Sequence, residues 1–569
     1  RAAVMPLRAA VMPLRAAVMP LKAAVMPRRA AESLATESPR RVADLPGAGE
    51  PPKTGLRSKV IRAALPALLA LKLGMLALLY RAGFTAFTAD DFGRILAAAG
   101  WAQAPYGFRP GPWLPFHMLL NGTLLRLAWE LLWAPRLLEM AIGLVSLVLM
   151  YRLASELFQD RTVGMLSAAL LALNPVHTWL SAAPLTELPT FTCLLAGLLF
   201  FGRYLRRRQS WPLLLAAAGF ALGTGFRFEA WVFSALFSAW LAVELAAAGF
   251  KRPAGQAGWP VQLAAALLPW IFPALWMLAS YRATGSPLYS LHAIQGYKAA
   301  WNGAAVGFLP YLQAAFRMDP FLALGGPPAF LAAAIHFRRN RSLAAYALMA
   351  LVPFLVFTGI QGGQSDPAGN ILRYLASFLF LLYPFLAWGL VVLARRLAAP
   401  AVYRVALAAL LLLAAAWVQT RAAFGFTNDP SGAGLAVGMR LRALRLRALR
   451  SQNAPQATRP ALVELSYWQN LAIQVGSNDL AGVVYDRAYD PVRRESQSIF
   501  LQDPQTARDC LAAYLPAYVI VQDARIRQAV EQVLKTAAVE EVNGYAFYPV
   551  PQGLPPAQAA CPYDLAYPE

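Results

Sequence analysis

Charge and metal-ligating side chains are what this sequence has least of. Only 14% of its 569 residues are charged, against roughly a quarter in a soluble globular chain, which excludes an ordinary soluble domain. Cysteine occurs three times and histidine four times, in no spacing that suits a structural metal site. What the chain has instead is apolar: 58% of residues are hydrophobic, gathered into recurring runs of about 20 residues, the length a helix needs to cross hydrocarbon. The net charge is +22, with arginine far commoner than lysine. A basic balance can mark nucleic-acid binding. Here the basic residues lie mostly between the apolar runs, where they set membrane topology. Membrane lipids are therefore expected partners, and nucleic acid is not.

Residues 1–28 read RAAVMPL three times and then KAAVMPR. Proline at every seventh position forbids a continuous helix, so this is no coiled-coil heptad. The copies have the look of a duplicated coding tract or a misplaced start. Residues 1–55 are set aside as a disordered basic segment on the cytoplasmic side.

Residues 56–424 carry the apolar runs, at roughly 60–80, 136–155, 162–180, 185–203, 211–227, 230–249, 261–282, 319–337, 342–359, 372–394 and 403–420. Trp113–Trp133 is also apolar but holds His117, Asn121, Arg126 and Glu130, so it either spans or lies flat as an amphipathic helix. Topology decides. With this stretch in the interface there are about eleven transmembrane helices. The inside loops then hold Arg152 and Arg161; Arg203, Arg206, Arg207 and Arg208; Lys251 and Arg252; Arg338, Arg339 and Arg341; and Arg395, Arg396 and Arg404, as the positive-inside rule requires. The first outer loop is 81–135. After Arg421 the composition changes. Helix-like stretches (435–450, 505–514, 524–537) alternate with strand-like runs at Ala461–Leu465, Gly482–Tyr485, Tyr518–Gln522 and Tyr545–Val550. Residues 425–569 thus read as a small extracytoplasmic α/β domain. There Cys510 and Cys561 can form one disulfide if they face an oxidising compartment.

The same topology collects polar residues on the outer side. Asp90, Asp91, Glu187, Arg227, Glu229, Tyr297, Lys298, Gln361, Arg373 and Tyr374 all fall at outer span ends or in outer loops, with Lys72 the main exception. Locally, Thr88 and Asp91 have the spacing of a capping box, and Asp90 can pair with Arg94 one turn on. Functionally, a carboxylate at the membrane face can take the proton of an attacking hydroxyl, and the two acids also suit a divalent cation. Glu187 is either an acidic first turn or a functional charge at membrane depth. Arg227-Phe228-Glu229 is either a turn with its own ion pair or an arginine set for a phosphate. Tyr297-Lys298 lies in a long outer loop, where a solvated lysine is ordinary. Arg373 breaks the positive-inside trend and asks for an anion. His117 and His177 read as ordinary polar contacts.

The order of these features resembles the GT-C glycosyltransferases, and within them the family 39 protein O-mannosyltransferase and aminoarabinose-transferase-like group. The resemblance rests on the acid pair Asp90-Asp91 after the first span, Pro112-Trp113-Leu114-Pro115, Arg136 opening a span, Leu171–Ser181 followed by Glu187 and Pro189, Arg227-Phe228-Glu229, and Arg373-Tyr374 with Pro384 behind. It covers roughly residues 60–395. It implies transfer of a sugar from a polyprenyl-phosphate carrier to a lipid, glycan or protein acceptor at the outer face of a plasma membrane, that of a bacterium, with the N-terminus cytoplasmic. By the same resemblance Asp90 is the general base, Asp91 its acidic neighbour, and Arg373 lies near the donor phosphate. Asp91 stands where the family often has Glu, Glu187 where it often has Asp, and no Pro follows Arg373-Tyr374 closely. A transporter or flippase of lipid-linked sugars is the alternative, expected to carry its charges near the midplane. A plain anchor for residues 425–569 is a third.

Overall fold

The computed structural model describes residues 55–563 apart from 108, 248–256, 302–308, 338–339, 362–370, 397–413, 415, 451–457, 465–468, 491–494 and 555–556. The repeat of 1–28, most of the Gly-rich loop after Gln361, and most of the expected span 403–420 lie outside the described residues, as do Lys251, Arg252, Arg338, Arg339 and Arg404. Residues 61–569 form one compact unit.

Seven described helices are long and apolar enough to cross a membrane: Ala63–Arg81, Trp133–Phe158, Glu187–Arg207, Glu229–Ala247, Trp259–Thr284, Arg341–Gly359 and Leu372–Arg396. One further pair of apolar helices is bent, as a broken span or a re-entrant loop. Leu309–Met318 and Pro320–His336 meet at 109°, because Asp319 is extended, its carboxylate accepts from Leu322 N–H, and Pro320 opens the next helix, a combination that ends one helix and starts another. Two expected spans are shorter apolar helices, Arg161–Leu173 and Ser210–Thr224. The described residues thus hold seven membrane-length helices, or eight with the bent pair, where eleven were expected. The stretch after Trp113 forms the helix Phe116–Leu127, which has 12 residues and is not among the helices long and apolar enough to cross a membrane. Large aliphatic side chains along the spans, among them Leu71, Leu137, Leu222 and Val243, face outward, as a lipid-solvated bundle requires. The chain is a multi-pass membrane protein.

The Glu187 span is the most enclosed of these helices. It crosses Ser210–Thr224 with almost no gap: a Cβ on Gly219 would sit 2.7 Å from Gly197 N and 3.0 Å from Cys193 O. Three spans share a polarity. Trp133–Phe158, Glu187–Arg207 and Leu372–Arg396 carry Arg136, Glu187 and Arg373 near their first residues. At their far ends Arg203 and Arg206 pair with Glu156, and Arg395 pairs with Asp160 at 2.5 Å. The basic loops and the polar constellation therefore sit at opposite ends of the same helices.

Beyond the bundle lies a five-stranded sheet in the order β2-β1-β5-β7-β6. Its strands are β1 Ala461–Val463, β2 Val483–Tyr485, β5 Tyr518–Val521, β6 Glu540–Val542 and β7 Tyr545–Pro549. Strand β1 runs parallel to β2 and β5, while β7 runs antiparallel to β5 and β6; β3 Arg487–Asp490 and β4 Glu495–Ser498 form a separate hairpin. Alternate side chains go to opposite faces. Val463, Ile520 and Phe547 pack with Val437 and Leu441 of helix Gly434–Arg450. Val519, Val521 and Tyr548 pack with Ile526 and Val530 of helix Ala524–Leu534. Cys510 and Cys561 are joined by a disulfide. The region docks on the first loop through Leu435, Leu471 and Val475 against Phe92, Ile95 and Leu96.

Candidate active site

The helix Asp90–Gln103 starts nine residues after the first span, where Thr88 and the acid pair give it a polar first turn. The two carboxylates diverge. Asp91 turns inward: its Oδ2 accepts from Phe87 N–H at 2.8 Å and its Oδ1 from Thr88 N–H at 3.3 Å. Only half of the capping box forms: the Thr88 hydroxyl donates to Asp91 Oδ1 rather than accepting a helix N–H. Burial pushes its carboxyl up to about 7, against the Phe87 N–H and the Arg373 charge. Asp90 points the other way and does not close on Arg94. Its Oδ2 accepts from Arg373 Nη2 at 2.7 Å. At 27% side-chain exposure against 3% for Arg373, it is the open member of the pair. Burial raises the Asp90 carboxyl, but the guanidiniums of Arg373, Arg94 and Arg227 outweigh it and hold the group below the usual carboxylate range.

Glu187 joins two arginines. Its Oε1 accepts from Arg227 Nη1 at 2.5 Å and lies 2.6 Å from Arg373 Nε, although the Arg373 N–H does not point along that line. Arg227 also grips Glu229 with two bonds, Nη2 to Oε1 at 2.6 Å and Nε to Oε2 at 3.2 Å. Burial alone would lower the Arg227 guanidinium; Glu229 and Glu187 reverse that and hold it above its usual value. The Tyr374 ring lies between the two cations, 5.2 Å from the Arg227 guanidinium carbon and 5.0 Å from that of Arg373, within cation–π range. Asp90, Glu187 and Glu229 thus balance Arg94, Arg227 and Arg373.

Of the residues singled out from sequence, Asp90, Glu187, Arg227, Glu229, Arg373 and Tyr374 come together. Asp91 supports the same turn from behind. The side chains of Tyr297 and Lys298 lie outside what the structure describes, although their backbone belongs to helix Tyr289–Trp301. Lys72 is fully buried, and its ammonium donates to Ala172 C=O at 2.9 Å and Thr178 Oγ1 at 2.7 Å, a satisfied interior contact.

Sequence reasoning took Arg94 only as a local partner for Asp90 and passed over Glu139. Arg94 stacks 4.6 Å over Trp113 and adds charge beside Asp90. Glu139, fully buried, lies 3.5 Å from His117 Nε2, and Asn121 Nδ2 lies 3.2 Å from the same nitrogen. Burial, then the Arg94 charge, pulls His117 down to about 3, so it stays neutral. The signal for Glu139 was available: an acid three residues after Arg136 inside an apolar run.

The fold and site define a class: a polytopic membrane protein of GT-C architecture with an ion-paired polar cluster at one end of its bundle. A family model, dolichyl-phosphate-mannose-protein mannosyltransferase, matches residues 111–276, which include Glu187, Arg227 and Glu229 but not Asp90 or Arg373. Among solved structures, ArnT from Cupriavidus metallidurans bound to undecaprenyl phosphate superposes with a TM-score of 0.53 at 13% identity, covering 88% of this chain and 98% of that one. Its apo form gives 0.52 at 14% identity, covering 86% and 98%. The archaeal oligosaccharyltransferase AglB from Archaeoglobus fulgidus, in complex with an inhibitory peptide and a dolichol-phosphate, gives 0.50 at 13% identity, covering 88% and 75%. No curated protein sequence matches the chain. The chain has the GT-C fold and resembles the mannosyltransferase and ArnT group.

Proposed function

We propose that this protein is a membrane glycosyltransferase that moves a sugar from a polyprenyl-phosphate donor to an acceptor hydroxyl, with inversion and with Asp90 as general base. The observation that carries the reading is the contact between Asp90 and Arg373, a proton acceptor and an anion holder 2.7 Å apart at the end of the bundle. Two of the similar structures are complexes with undecaprenyl phosphate and with a dolichol-phosphate, which supports a lipid-linked donor.

A donor whose tail stays in the bilayer keeps its anomeric carbon at the interface, and holding both substrates there removes much of the orientational entropy cost. The acceptor oxygen attacks the anomeric carbon and its proton goes to Asp90. The bond from that carbon to the phosphate oxygen breaks, and the lipid phosphate leaves. Arg373 and Arg227 take up its growing charge. In this structure both guanidiniums are held by carboxylates. A donor phosphate must therefore displace Asp90 from Arg373, which frees the base in the same event. Glu187 keeps the two arginines in register, and Tyr374 fixes their spacing.

In this arrangement the Asp91 oxygens accept the Phe87 and Thr88 N–H groups and Asp90 meets Arg373, so the pair does not present two free carboxylates to a cation. Among the described residues no group of three or more His, Cys, Asp or Glu side chains gathers around one point. No step is routed through a metal ion. The site is assigned to the outer face, with the sheet region there too as a separate domain from about residue 425; the disulfide between Cys510 and Cys561 supports this, since such bonds persist in oxidising compartments.

The test is donor cleavage by purified protein in sealed proteoliposomes, supplied with radiolabelled polyprenyl-phosphate sugars and followed by release of lipid phosphate. Cleavage lost in Asp90→Asn supports the assignment. Full activity in that variant removes Asp90 as base, and movement of intact donor across the bilayer without cleavage makes the protein a transporter.

A further inference from the structure

We infer that helix Gly434–Arg450 lies on the membrane surface and docks there, through a stripe of apolar and arginine side chains, to a lipid headgroup layer carrying anionic phosphates. The helix is tied at two points to segments at the membrane boundary. Just before it, Asp429 N–H donates to Ala86 C=O at 3.2 Å and Asn428 Oδ1 accepts from Thr85 N–H at 2.8 Å. Thr85 and Ala86 follow closely on Arg81, the last residue of the first span. Further along, Arg442 Nη2 donates to Glu130 at 2.9 Å, and Glu130 stands just before Trp133, where the next span begins. Gly434 to Arg442 is about 12 Å of helix axis. A helix held at the boundary at both ends of that stretch runs along the bilayer plane rather than away from it.

Its side chains sort accordingly. Val437 and Leu441 face the sheet. Leu435, Met439, Arg442, Leu446 and Leu449 are spaced by four and three residues in turn, so they share one face. The stripe begins in contact: Leu435 packs against the Asp90 helix and Arg442 meets Glu130. Past Arg442 it leaves the protein, with Leu446 48% and Leu449 54% exposed. On the first loop, flanking Glu130 in sequence, stand Leu127, 83% exposed, and the partly exposed Trp129 and Trp133. Trp129 Nε1 donates to Asn478 C=O at 3.2 Å, so these rings belong to the same junction. Tryptophan at a span entrance, apolar side chains on one face, and Arg447 and Arg450 beside them are the composition of an interfacial anchor.

The experiment uses the full chain in nanodiscs. Cys193 is replaced by alanine, leaving the disulfide-bonded pair, and a single cysteine carrying a bimane label is placed at Leu446 or at Arg525. Arg525 is 78% exposed, on the helix that covers the other face of the sheet. Phosphatidylcholine nanodiscs are compared with others holding about a third phosphatidylglycerol, each with doxyl lipids as quencher. The Leu446 label is expected to be quenched about threefold more than the Arg525 label, and the excess to fall in anionic discs when Arg447→Glu and Arg450→Glu are combined. Equal quenching at the two positions overturns the inference. So does a shielded but unquenched Leu446 label that crosslinks to a second copy, which assigns the face to a protein contact. Donor cleavage is not the readout, so failure here leaves the catalytic reading standing.

Discussion

Asp90 and Arg373 stand 283 positions apart in sequence and meet through a charge-assisted hydrogen bond of 2.7 Å. The first loop and the last described long span have to fold against each other to make it. The bond joins a carboxylate open to water with a guanidinium that is almost fully enclosed. Asp90→Asn keeps an oxygen for Arg373, and Glu187 still balances that arginine, so the fold should survive. Donor cleavage should fall about a hundred- to ten-thousand-fold, the range for loss of a general base. Rates are compared at equal folded protein, checked by thermal denaturation in detergent. Turnover near that of the parent chain would show that another group takes the proton.

Glu187 is the anion that two arginines share, and its side chain is 1% exposed. Replacing it with glutamine removes one charge from a buried set and leaves Arg227 and Arg373 facing each other. Breaking a buried pair this way costs about 3–5 kcal/mol. Glu229→Gln, at a side chain 21% exposed, should cost less, and Glu541→Gln, paired with Arg527 at 55% exposure, should fall within about 1 kcal/mol. The order of the three melting temperatures is the check; equal shifts would contradict the burial argument.

Gly219 marks a second constraint, in packing rather than charge. The Cβ of an alanine there would meet Gly197 N at 2.7 Å, an atom of a helix backbone that cannot rotate aside. Two of the central helices must then separate, at a cost of about 1–3 kcal/mol, and close small-residue contacts are what hold membrane helices together. Gly219→Ala should lower the melting temperature, whereas alanine at Gly202, where the added Cβ would meet no atom within 4 Å, should not.

How far the sequence could be read depended on the range of the signal. Spans are local, and the apolar runs gave them directly; so did the strands Val483–Tyr485 and Tyr518–Val521, whose β-branched and aromatic residues mark them. The site was legible as sidedness, because the positive-inside rule converts loop charge into topology and topology into neighbours. What could not be read was which acid faces which cation. Asp90 and Asp91 are adjacent and chemically alike, and only the helix start decides that one caps the turn while the other reaches Arg373. The hairpin Arg487–Asp490 with Glu495–Ser498 was missed for a related reason. Its residues are mostly polar and show no alternation. The helix Gln469–Ser477 was missed as well, its helical form resting on packing against the Asp90 and Gly434–Arg450 helices.

Cys510 and Cys561 enclose a loop with a sequence separation of 51. By the chain-entropy account a loop of that length restrains the unfolded state by about 4 kcal/mol. Cys561→Ser should lower the melting temperature of the sheet region, and dithiothreitol should do the same to the parent chain but not to the variant. Non-reducing peptide mapping supplies a direct check. Two free thiols in freshly isolated protein would argue against an oxidising side for this region, and with it against the assigned orientation.

The exchange of Asp90 for phosphate on Arg373 leaves a mark in pH profiles. The profile of kcat/KM reports groups of the free enzyme, and that of kcat reports the bound complex. In the free enzyme Arg373, Arg94 and Arg227 hold the Asp90 carboxyl below its usual range, so the base stays ionised down to low pH and the acid limb of kcat/KM lies correspondingly low. Once a donor phosphate occupies Arg373, Asp90 loses its closest cation and gains an anion beside it. Both changes favour the protonated form. The acid limb of kcat should therefore appear at higher pH than that of kcat/KM, with activity lost in each case as pH falls and the base takes a proton. Arg373→Gln should move the limb of kcat/KM upward toward that of kcat, because it removes the same cation before the donor arrives. Coincident limbs in the parent chain would mean that Asp90 keeps Arg373 throughout the reaction, and the phosphate would then have to be held by Arg227 alone.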